Sequence, residues 1–149
     1  MNQALALAHE AAALGEVPVG AVVVVGGQVV GRGFNRREVD HDPLSHAELI
    51  AIAEAARKLK VWRLSEATLY VTLEPCTMCA GAMVQARLKR LVFGAMDPKA
   101  GAVGSLYNLV RDARHNHQVE VASGVLELQC SRVLKDFFVA LRGRKKSTE

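Results

Sequence analysis

Two short stretches, well separated along the chain, constrain what it can fold into more than anything else: His46-Ala47-Glu48 and Pro75-Cys76-Thr77-Met78-Cys79. Each lies where a helical pattern begins. Residues 46–60 place Leu49, Ile52, Ala53, Ala56 and Leu59 at the spacing of one buried helical face. Ser45, followed three residues on by Glu48, has the spacing of a capping box. The second stretch follows an apolar, β-branched run at 68–73 and opens a helix at 77–87, with Pro75 at its approach. A fold that uses both stretches together must bring two helix N-termini side by side.

The remaining pattern supplies the frame. Residues 2–14 read as a helix with Gly15 after its end. Pro18 precedes a strand at 19–25, Gly26-Gly27 is a two-residue turn, and 28–34 is the returning strand, so these two are antiparallel. A polar loop spans 35–45. Strands follow at 68–73, 91–93 and 119–121, with helices expected at 106–114 and 126–141. A glycine-bearing loop occupies 97–104. After the hairpin each strand reaches the next through a helix, which predicts parallel neighbours and right-handed crossovers. The expectation is an α/β fold: a mixed sheet of about five strands with helices on both faces. Were 106–114 not helical, the last two strands could pair as a hairpin instead.

One imidazole, two thiols and a carboxylate make up the chemistry of the two stretches. Cys76 and Cys79 lie one helical turn apart at a helix start, where the helix end favours the thiolate. With His46 they supply three zinc ligands, leaving the fourth position to water, which is the catalytic pattern. Cys130 is a fourth ligand in principle, but it falls on the apolar face of the last helix, where a free cysteine is commonly buried. Glu48 and His46 are two apart and do not share a helix face. They serve one site only if it lies off the helix end. A redox role for Cys-x-x-Cys lacks the Trp-Cys-Gly context of the thioredoxins.

Composition excludes several classes. At 149 residues and 50% hydrophobic, the chain can bury one sizeable core and is not a disordered one. No apolar run is long enough to span a bilayer. The first residues carry no basic stretch ahead of an apolar one, which predicts no secretion signal and a cytoplasmic location. Three cysteines suit a disulfide framework poorly. The net charge of +4 permits an anionic partner without requiring one, and Arg142, Arg144, Lys145 and Lys146 crowd the C-terminus. One domain is expected over 1–143, with a short basic and polar tail at 144–149.

His-x-Glu followed by Pro-Cys-x-x-Cys resembles the signature of the zinc-dependent nucleoside and nucleobase deaminases, in which the glutamate is an acid/base and not a ligand. The likeness is closer still to the bacterial tRNA adenosine deaminases, which convert the wobble adenosine to inosine. It runs through Glu16-Val-Pro-Val-Gly-Ala21, Gly33-Phe-Asn-Arg36, Asp42-Pro43, Tyr70-Val-Thr-Leu-Glu-Pro-Cys76, Met78-Cys-Ala-Gly-Ala82, Val92-Phe-Gly-Ala95, Gly104-Ser105 and Asp136-Phe-Phe138. The resemblance implies the three-layer α/β/α cytidine deaminase-like fold, a homodimer, one zinc ion per subunit and a splayed anticodon stem-loop of tRNA as substrate. By position it implies that His46, Cys76 and Cys79 bind zinc and that Glu48 shuttles protons. Asn35 would hold the target base, Asp97 and Lys99 would line the RNA entrance, and Phe138 and Arg142 would lie in a C-terminal helix against RNA. Met96, Val139 and Leu141 depart from the basic residues that relatives often carry, which removes charge from that surface.

Two other functions share the motif. A deaminase of a free nucleobase or nucleoside would use the same zinc chemistry with a closed pocket. A zinc-stabilised RNA-binding module would turn nothing over, and would have no use for Glu48.

Overall fold

The computed structural model describes residues 1–148. Its first helix, α1 (Asn2–Ala13), buries Ala4, Ala8 and Ala11. Gly15, at φ +79°, ends it: the Gly15 and Glu16 N–H groups donate back to Ala12 and Ala11, the paired bonds of a Schellman motif. Strands β1 (Gly20–Val25) and β2 (Gln28–Phe34) form the expected hairpin. Gly26 and Gly27 both have positive φ, as a two-residue turn of this hand requires.

The other elements are α2 (Ala47–Leu59), β3 (Thr68–Leu73), α3 (Thr77–Gln85), β4 (Arg90–Ala95), β5 (Glu120–Ala122) and α4 (Glu127–Lys146). The sheet order is β2-β1-β3-β4-β5. Helices α1 and α4 pack on one face, and α2 and α3 cover the other. This is the three-layer α/β/α arrangement that the resemblance implies. The β3–β4 and β4–β5 pairs are parallel. The crossover through α2 is different from the expectation of parallel neighbours. It carries the chain past β1, and β3 pairs antiparallel to β1 on that strand's free edge. Consequently β2, β3 and β4 all run the same way and end at one end of the sheet.

Three further expectations are corrected. Residues 106–114 form no helix, only a 3-10 turn at Leu109–Arg111. Leu106 and Tyr107 are exposed while Ala102, Val103 and Val110 are buried, so the segment has no helical apolar face to dock. The β4–β5 pair is parallel all the same. On α2, Ala47, Ala51 and Ala55 face the sheet, while Leu49 and Ile52 are only partly buried and Leu59 is exposed. The reason lies on β2. Gly31 and Gly33 have no side chains, so α2 descends onto them and only alanines fit between. Finally, α4 runs on to Lys146, placing Arg144, Lys145 and Lys146 in its last turn, where cations suit the helix dipole.

Candidate active site

The common end of β2, β3 and β4 carries the site, as the open end of a parallel sheet commonly does. His46 is the N-cap of α2 and Cys76 the N-cap of α3. Both have extended backbone, and neither side chain caps its own helix. Their side chains turn to each other instead. His46 Nδ1 lies 3.6 Å from Cys76 Sγ and 3.5 Å from Cys79 Sγ. The three ligand atoms fall within 4.8 Å of one another. The capping box expected at Ser45 does not form. The Ser45 hydroxyl is taken by Asp40 and Asp42, and the helix starts one residue later.

That shift places Glu48 usefully. It is the second residue of α2 and is 4% exposed, in the cavity wall beside His46. An N-cap residue is not yet helical, so His46 and Glu48 can face one point off the helix end. Cys130 is remote from the cluster. It is buried under α4 against Gly94, with no room there for a Cβ.

The protons of the cluster are unevenly held. The hydrogen bond from the Cys79 thiol, aided by His46 and opposed by burial, pulls Cys76 down to about 4. Cys79 is pushed up by its bond to Cys76 and by burial, and His46 is pushed up chiefly by its bond to Cys76. Burial likewise raises the Glu48 carboxyl. A carboxyl whose pKa is raised by burial is placed to hold and hand on a proton as a general acid.

A cavity opens over these groups, walled by Val17, Val19, Leu73, Asn35, Asp97 and Ala100 among others. Asn35 is 9% exposed. Its amide donates to the Val17 carbonyl and its oxygen accepts from the Arg37 N–H, so the side chain is fixed in orientation at the rim. One amide hydrogen and one lone pair are left for a ligand. Asp97 reaches the cavity, but Lys99 does not. Together with Phe138 and Arg142, Lys99 lines a separate groove between its loop and α4, which Leu134, Lys135 and Val139 complete. The expected residues thus fall into two places, a buried centre and a cationic groove.

Two buried glutamates were not anticipated. Glu16, 1% exposed, accepts from the Val39 N–H and ties down the loop after β2. Glu74, 2% exposed, lies in the cavity wall directly before Pro75-Cys76. Beyond its place in the Tyr70–Cys76 stretch that carries the resemblance, the sequence marks Glu74 only as a carboxylate between a core strand and a helix start.

Comparison with known proteins agrees with this chemistry. Residues 1–142 match the family model of the MafB19-like deaminases. The tRNA-specific adenosine deaminase of Bacillus subtilis is 51% identical over 147 residues, spanning 99% of this chain and 91% of that protein. The Haemophilus influenzae protein of the same name is 52% identical, over 98% of this chain and 85% of its own. A solved structure from work on A-to-I editing by tRNA A34 deaminases at the wobble position superposes with a TM-score of 0.87 at 44% identity, covering 90% of this chain and 97% of that one. Guanine deaminase from Nitrosomonas europaea, at 24% identity over 91% of this chain and 81% of that one, shares the fold with a TM-score of 0.79. The chain belongs to the MafB19-like deaminase family and to the family of the tRNA-specific adenosine deaminases.

Proposed function

We propose that this chain converts adenosine to inosine by hydrolytic deamination at the wobble position of a tRNA anticodon loop, using one zinc ion held by His46, Cys76 and Cys79. The observation that carries the proposal is the convergence of those three ligand atoms, with buried Glu48 beside them and outside the set. The donor set fits zinc. A tetrahedral ion about 2.0–2.1 Å from nitrogen and about 2.3 Å from sulfur separates those atoms by about 3.6 Å. The imidazole–thiol distances here are 3.6 and 3.5 Å. Bound there, zinc would lower the pKa of a water far below its bulk value, to about 7, and so supply a nucleophile at neutral pH.

The protein's own groups do the rest. Asn35 holds the edge of the base over the cluster, and Asp97 and the apolar wall confine it. Glu48 takes the proton of the attacking water as oxygen bonds to C6 of the purine. The same carboxyl then delivers a proton to the amine as the C6–N bond breaks and ammonia leaves, typically worth about 10² to 10⁴ in rate. Lys99, Phe138 and Arg142 meet the RNA outside the cavity. A cationic groove with one exposed aromatic ring suits phosphates and an unstacked base. Val139, exposed in that groove, weakens its charge, while Arg144, Lys145 and Lys146 lie further along α4, in its last turn.

A homodimer working in the cytoplasm completes the reading. No helix among the described residues is long and apolar enough to cross a membrane. Deamination of a free base is the less supported alternative, because it leaves the groove without a role. The test is incubation of the zinc-loaded protein with an anticodon stem-loop bearing a wobble adenosine. Inosine at that position supports the proposal. No inosine on matched RNA, with turnover of a free base, overturns it.

A further inference from the structure

Glu74 is a fully buried carboxylate that takes no part in the chemistry proposed above. Its four hydrogen bonds all go to one loop. Oε1 accepts from the Asp97 N–H at 3.0 Å and from the Ser105 hydroxyl. Oε2 accepts from the Val103 and Ser105 N–H groups, each at 3.0 Å. The loop passes so close over the carboxylate that a Cβ on Gly101 would collide with it. Asp97 and Ala100, on the same loop, form part of the cavity wall. The Asp97 side chain in turn accepts from the Lys99 and Ala100 N–H groups, which ties the tip of the loop to Asp97. Burial opposes ionisation of Glu74, but the Ser105 hydroxyl and the three N–H groups outweigh it and hold the carboxyl below its ordinary value.

We infer that Glu74 is a positioning residue for deamination: anchored between β3 and the first zinc ligand of α3, it holds the 97–105 loop in its substrate-ready place before any RNA arrives. The inference rests on the function proposed above, since it assigns the loop to substrate binding. Among the described residues no other side chain accepts as many hydrogen bonds from the loop. Pro75 adds one bond, from the Ala102 N–H to its carbonyl. A glutamine at 74 keeps the size but turns an NH₂ group toward backbone donors, so two hydrogen-bond donors face each other without an acceptor. The docked state of the loop then becomes the minor one.

A loop docked a tenth of the time weakens apparent substrate binding tenfold, while the bound complex, with the loop redocked, reacts as before. Glu74→Gln is therefore expected to raise KM for an anticodon stem-loop about tenfold, equivalent to ~1.4 kcal/mol, with kcat within about twofold of wild type. Amide exchange on the zinc-loaded protein should speed up by at least about tenfold at Asp97, Val103 and Ser105, because the open fraction of the loop rises from a small value to most of the population, and stay unchanged in β3 and β4. Ser105→Ala removes one of the four bonds and keeps the carboxylate. It should raise KM about threefold and speed the same amides by less than Glu74→Gln does, and it decides the matter if Glu74→Gln fails to fold. A fall in kcat at constant KM, faster exchange throughout the sheet, or no change in loop exchange overturns the inference. Should the wild-type protein make no inosine, the functional proposal falls, while the exchange measurement still judges the tether.

Discussion

Substitution of Gly33 by alanine tests how the site is assembled. Gly33 lies on β2 directly under the first turn of α2, and an ideal Cβ there meets the Ala51 nitrogen and the Ile50 Cβ at 2.9 Å, and the Ala47 carbonyl oxygen closer still. Ordinary contact begins at 3.4 Å, so α2 must rise by about half an ångström at Ala51 and by about 1 Å at Ala47. Ala47 stands between His46 and Glu48. Overpacking of this kind costs about 1–3 kcal/mol of stability. For a chain of this length that lowers the melting temperature by roughly 3–10 °C. A 1 Å misplacement of catalytic groups can cost about 10²-fold in rate. Gly33→Ala should therefore lose both stability and activity, and bind zinc more weakly as His46 moves from the two thiols. Gly143→Ala is the control. It lies in α4 with nothing within 4 Å, so it should melt at or slightly above the wild-type temperature. Thermal melts, zinc titration and inosine formation on both variants measure the effect. Wild-type stability and activity for Gly33→Ala would refute the view that glycines on β2 set the height of the site.

Two further outcomes follow from the electrostatics. Because the folded Glu74 carboxyl lies below its ordinary value, its contribution to stability is full above that ordinary value, near 4.5, and is lost as pH falls through the folded one. Between pH 5 and 3 the wild-type melting temperature should fall more steeply than that of Glu74→Gln, and equal slopes would contradict the assignment. At the groove, RNA affinity should fall steeply with salt, and Arg142→Ala should reduce the log–log slope by roughly 0.7–1. An unchanged slope would mean that Arg142 is solvated surface.

Much of this was legible because local chemistry determined it. Gly26-Gly27 specified the hairpin, and the helix starts at His46 and Cys76 fall within one residue of their expected places. The off-the-end placement of His46 and Glu48 followed from helix geometry alone. Other features depend on partners distant in sequence. The face of α2 that meets the sheet is the alanine one, because its partner strand offers only hydrogen atoms at Gly31 and Gly33. Periodicity favours the larger side chains and so points to the neighbouring stripe, of which Leu49 and Ile52 pack on the core while only partly buried. Ser45 had cap spacing, but the aspartates at 40 and 42 compete for its hydroxyl. Glu74 was invisible as an anchor because its four hydrogen bonds come from a loop that begins beyond the next helix and strand. That same loop runs into the segment 106–114, which was expected to be helical and is fixed instead by the burial of Val103 and Val110.

The central claim is that His46, Cys76 and Cys79 hold a metal while Glu48, beside them, moves the proton. The most direct measurement is the single-turnover rate of inosine formation by Glu48→Ala on a wobble-adenosine stem-loop, relative to wild type at equal bound zinc. The account predicts one zinc per chain in both proteins and a rate lower by about 10² to 10⁴ in the variant. Loss of zinc from the variant would make Glu48 a ligand, and an undiminished rate at full zinc would place the proton transfer elsewhere; either result would contradict the account.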